Sequence, residues 1–141
     1  MILVEESHDA RIVSLDGREP SPDAVRQWMG VSRGRWEGET LVVETRNIRR
    51  TTSSAGTVGG DPILLRAANG RPDDTITVTE RFTRVDEETI HYEFTIDDPA
   101  QWTQSFSGEF PFVALPAEEL LYEYACHEGN YSMPNILGGE R

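Results

Sequence analysis

The stretch from Asp74 to Pro99, DTITVTERFTRVDEETIHYEFTIDDP, constrains the fold more than any other. Side chains of a strand alternate between two faces, so Ile76, Val78, Glu80 and Phe82 share one face and Thr77, Thr79, Arg81 and Thr83 the other. In the returning run Ile90, Tyr92, Phe94 and Ile96 fall together, opposite His91, Glu93 and Thr95. Matching the two apolar faces across a loop at Asp86 to Glu88 sets Arg81 opposite Glu93 and Thr83 opposite His91. A register moved by two residues would preserve the faces and pair His91 with Arg81 instead.

The same pattern recurs along the chain. ILVEES and ARIVSL are short β-like runs closed by LDGREP. In RGRWEGETLVVETRNI, Gly38 supplies the turn between an aromatic strand and a β-branched one. QWTQSFSGEFPFVAL carries Trp102, Phe106, Phe110 and Phe112 on one or two further strands, broken near Gly108 and Pro111. LLYEYAC reads as a strand, with a helical turn at Pro116 ahead of it. SPDAVRQWMG is the one helix signal of the front half, with Ser21 as cap, Pro22 in the first turn and Gly30 as terminator. Residues 49–61, rich in Gly, Ser and Thr, read as a mobile loop. These features predict a single all-β domain over residues 1–141, mainly antiparallel. It would be a curled sheet or a lipocalin-like barrel or sandwich of about seven to nine short strands with one short helix.

Charge and composition exclude several functions. Acidic residues number 25 against 13 basic ones, a formal net charge of −12. Such a chain repels phosphate backbones and anionic lipid, so neither nucleic acid nor a membrane is an expected partner. Every basic residue except histidine is arginine, which rules out Schiff-base and P-loop lysine chemistry. The single cysteine, Cys126, permits neither an intrachain disulfide nor a multi-thiolate zinc site. No apolar run approaches the roughly 20 residues of a membrane span. MILVEE is too short and lacks the basic flank of a signal peptide, so the chain as written is expected to be soluble.

HDARIVSLDGR, RGRWEGETLVVET, ERFTRVDEETIHYEFTIDDP and YEYACHEGNYSMPNIL resemble segments of a large family of uncharacterised bacterial proteins. The resemblance spans nearly the whole chain. It implies relatives that are often secreted or periplasmic and longer, with this chain matching a C-terminal domain or a short relative. It implies no activity.

Candidate chemistry collects in two places. Glu80 interrupts an apolar face, and a carboxylate turned into a core needs an arginine, a hydrogen-bond donor or a ligand. A buried Glu80–Arg ion pair is the favoured reading; general acid–base work is the other. The second place is the segment from Tyr122 to Asn135. Tyr122 to Cys126 reads as the last core strand, and Cys126 and His127 point to opposite faces, against a nucleophile–base pair. His127 to Asn135 reads as an exit loop, with Gly129 and Pro134 breaking the pattern. That frees His127, Glu128, Asn130 and Tyr131 to face a pocket.

The leading expectation is therefore a small-molecule-binding β domain with a pocket lined by aromatics. Trp36, Tyr92, Trp102, Arg81, Asn130 and Tyr131 are its expected contacts. An enzyme without an organic cofactor is the alternative, a lyase, isomerase or hydrolase. Glu80 or Glu128 would act as base, His127 as acid, and an arginine or Tyr124 would steady negative charge. A third reading is an oligomerising interaction domain. No cofactor is called for, and no pair shows the HxH or HxxxH spacing that would mark a metal site; if a divalent metal binds, His8, His127 and Glu128 are the expected ligands.

Overall fold

The computed structural model describes residues 1–4, 9–19, 22, 25–27, 29–48, 76–100, 102–120 and 131–139. Eight strands are described: β1 (Ile2–Val4), β2 (Asp9–Arg11), β3 (Val13–Ser14), β4 (Val31–Glu37), β5 (Thr40–Arg46), β6 (Thr77–Arg84), β7 (Thr89–Asp97) and β8 (Phe106–Val113). Among the described residues one helix, α1, covers Ser132–Gly138. The chain is thus all-β, as its alternation requires.

β1 and β2 form a separate antiparallel hairpin. The other strands make one six-stranded sheet in the order β3-β4-β5-β6-β7-β8, in which β3 joins β4 in parallel and every other pair is antiparallel. The β6–β7 register sets Arg81 opposite Glu93 and Thr83 opposite His91, the first of the two registers the alternation allows. Gly38 takes φ +63° at the two-residue turn between β4 and β5. A positive φ at the first of the two turn residues matches the twist of the flanking strands and costs glycine nothing.

The lipocalin-like barrel is not formed. The sheet stays open, and among the described residues its end strands β3 and β8 do not meet. Closure needs two complementary edges, but β3 is two residues long and β8 carries Pro111, which has no N–H to give. Two helix expectations also change. Val25 and Arg26 are not helical, and Gln27 forms an isolated parallel bridge with Ile48. Among the described residues the helix is at Ser132–Gly138, overlapping the exit loop that the sequence pattern predicts for His127 to Asn135. Pro134 does not break it, because it occupies the first turn, whose N–H groups have no intrahelical acceptor. The expected loop at 49–61 and the expected strand at 122–126 lie outside the described residues.

The core sits on the face bearing Val78 and Glu80. Ile48, Ile76, Val78, Tyr92 and Ile96 form its buried cluster, with Met29, Phe82 and Phe94 packed against it. Each fully buried aliphatic side chain contributes about 1.5–3 kcal/mol. Aromatics extend the same face outward across β7 and β8. Tyr92 is their hub, with ring centroids 4.9 Å from Phe82, 5.0 Å from Phe110 and 4.9 Å from Phe112.

Candidate functional site

Glu80 is sealed in this core at 1% exposure. Its partner is Arg11, at the end of β2. One Arg11 nitrogen donates to Glu80 Oε2 and to Thr45 Oγ1 (3.2 Å), and the other to Glu80 Oε1 at 2.9 Å. The Tyr92 hydroxyl donates to the same Oε1, also at 2.9 Å, and Ser32 Oγ lies 2.8 Å from Thr45 Oγ1. The register explains the convergence: Ser32 faces Thr45 across β4–β5, and Val43 on the same face sits beside Glu80. The result is a polar knot in which the carboxylate accepts from a two-pronged guanidinium and from a phenol. This is chemistry of anchoring, since it fastens the N-terminal hairpin to the large sheet and leaves the carboxylate no exposed oxygen.

Beside this knot lies an open cleft of about 310 Å³, on the same face. Ile2, Trp36, Leu41, Phe82 and Ile90 line it, with Glu39 and Arg84 at the rim. Trp36 and Leu41 are cross-strand partners, as are Leu41 and Phe82, so the antiparallel ladder itself lays the apolar wall. Ile2 adds a side from the hairpin that Arg11 holds. Arg84 is fixed by donating to the carbonyls of Asp86 and Glu87, each at 2.9 Å. Trp36 remains 62% exposed within this otherwise apolar wall.

The opposite face is charged. Glu37 accepts from Arg81 at 3.0 Å and from Arg35 at 3.0 Å. The Arg81 hydrogen bond, then the Arg35 one, hold its carboxyl below the usual carboxylate range. Further along, Glu93 and Glu109 stand directly opposite on β7 and β8, and His91 Nε2 lies 3.4 Å from Glu109 Oε2. A second cleft, of about 250 Å³, opens here between Thr79, Arg81, Thr95 and Ser107, with Glu93 and Glu109 on its wall.

The structure therefore separates residues that the sequence groups. Glu80 and Tyr92 join in the buried knot, Trp36 lines the apolar cleft, and Arg81 lines the cleft on the other face. Trp102 is at the far end of the aromatic face, edge-on to Phe106 at 5.0 Å. Tyr131 precedes α1 and is 69% exposed. His8, Tyr124, His127, Glu128 and Asn130 lie outside the described residues. Arg11 escapes sequence reasoning because a strand-end arginine carries no local mark of burial. His91 and Glu93 are readable as an H-x-E pair on one strand face, but Glu109 becomes their neighbour only through the β7–β8 register.

Fold and site together define an all-β protein built on an open antiparallel meander, with a small hairpin pinned to it by a buried ion pair. Comparison of the chain with protein-family models, with curated proteins and with solved structures gave no match. Among the described residues no helix is long and apolar enough to cross a membrane.

Proposed function

We propose that this domain binds an apolar small molecule in the cleft beside Trp36. The observation that carries the reading is the exposed indole of Trp36 within a wall of Ile2, Leu41, Phe82 and Ile90. Small-molecule sites are concave and mainly apolar, and Glu39 and Arg84 complete the lining of this one. An acid–base role for Glu80 is less well supported, because both its oxygens already accept hydrogen bonds in a buried setting. The oligomerising reading is weakened by Glu109 and Pro111 on the outer strand β8, since charge and proline blunt a sheet edge.

Titration with a neutral apolar fluorescent probe such as N-phenyl-1-naphthylamine tests the reading. Trp36→Ala removes the largest contact and is expected to weaken binding about tenfold or more, as losing about 1.5–3 kcal/mol of apolar burial would. Trp102→Phe, at the far end of the face, is expected to leave affinity unchanged. Probe binding that ignores Trp36→Ala would rule out this cleft as the site.

A further inference from the structure

The charged face holds a donor set that the apolar cleft does not use. His91 and Glu93 are two apart on β7 and so share a face, and Glu109 stands opposite Glu93 on β8. One imidazole nitrogen and two carboxylate oxygens from these residues lie within 4.8 Å of one another. All three are mounted on paired strands, so no loop must be ordered to bring them together.

Two observations point to a cation between them. His91 Nε2 and Glu109 Oε2 are 3.4 Å apart, longer than the about 2.7–2.9 Å of a charge-assisted hydrogen bond. Two donors each about 2.1 Å from one tetrahedral ion are about 3.4 Å apart; the His91–Glu109 pair has that spacing, and a small rotation of an exposed carboxylate would draw in the third donor of a set that lies within 4.8 Å. Separately, Glu93 and Glu109 are like charges directly opposed across an antiparallel pair, an unfavourable arrangement unless neutralised. Arg81 approaches Glu93 only at 4.0 Å and is hydrogen-bonded to Glu37 at 3.0 Å. A divalent ion is the species that would compensate both carboxylates at once.

We propose that His91, Glu93 and Glu109 form a three-ligand site for a divalent transition ion of the zinc class. The mixed nitrogen and oxygen donors fit zinc, cobalt or nickel better than calcium or magnesium, which take oxygen throughout. Three protein ligands leave a coordination position, and the 250 Å³ cleft lined by Glu93 and Glu109 adjoins it. Water or a hydroxyl-bearing ligand would complete the shell there. This site is on the opposite face of the sheet from the Trp36 cleft and does not depend on it.

The test is calorimetric titration of the intact chain with zinc, and with cobalt followed by visible absorption. One ion per chain is expected to bind, with His91 imidazole resonances shifting on addition of zinc. Loss of an outer-shell partner already costs about 10–100-fold in affinity, so His91→Ala and Glu109→Gln should each cost at least about tenfold. Glu109 is 68% exposed, so Glu109→Gln preserves the fold and remains decisive if His91→Ala does not fold. His8→Ala and His127→Ala are expected to leave affinity unchanged. No binding below about 1 mM metal, or binding that survives Glu109→Gln but is lost in His8→Ala or His127→Ala, would overturn the proposal.

Discussion

Arg11 and Glu80 stand 69 positions apart in the chain and meet in the core, each side chain 2% exposed. Their contact ties a two-stranded hairpin to a six-stranded sheet and thereby places Ile2 on the wall of the Trp36 cleft. A buried ion pair gains little over a well-packed apolar pair of the same shape, yet losing one member strands the other's charge. The pair's role here is to specify where the hairpin docks.

Glu80→Gln keeps the shape of the side chain and removes its charge, so the buried Arg11 guanidinium loses the carboxylate it grips with both terminal nitrogens. It should lower stability by about 3–5 kcal/mol, read from urea unfolding. The double variant Arg11→Met/Glu80→Leu should be less destabilised than the sum of its single changes. Strictly additive losses would show that the two side chains do not interact.

Gly30 turns into β4 with φ +70°, and a Cβ there would stand 2.7 Å from the Arg46 carbonyl oxygen. Gly38 has a similar φ of +63° but open space around it. Gly38→Ala should cost about 1–2 kcal/mol of backbone strain. Gly30→Ala should cost more, because a backbone atom cannot step aside as a side chain can. Equal losses in urea unfolding would contradict the close approach at Gly30.

Asp86 accepts a hydrogen bond from the Glu88 backbone N–H at 2.8 Å in the β6–β7 loop. That bond, first among the causes, lowers its pKa in the folded protein. A carboxyl depressed on folding stabilises the native state above its unfolded pKa of about 3.9, and the contribution disappears as the pH falls through the folded value. Asp86→Asn resembles the protonated acid. It should therefore unfold at lower urea than the parent near pH 7, with the gap closing as the pH falls below the unfolded pKa. A gap that persists at low pH would mean that ionisation is not its source.

The β6–β7 pairing is legible in the residues themselves, since alternation and loop length are local and jointly limit the register to a few choices. Glu80 is marked as a buried carboxylate in need of a partner for the same reason. Which of the arginines it meets is not legible there, because nothing near Arg11 distinguishes it from Arg33 and Arg35 on β4. The C-terminal helix is hidden by Pro134, which reads as a breaker although proline in a first turn forfeits no bond.

What the sequence alone determined was the period-2 pattern, and with it an all-β chain, the facing of each strand and the acidic, lysine-free surface. Only the tertiary structure decided that the sheet stays open and that Arg11 reaches Glu80. It also brought Glu109 beside His91 and Glu93. Strand facing follows from backbone geometry one residue at a time, whereas edges, ion pairs and cross-strand clusters depend on which distant segments pack together.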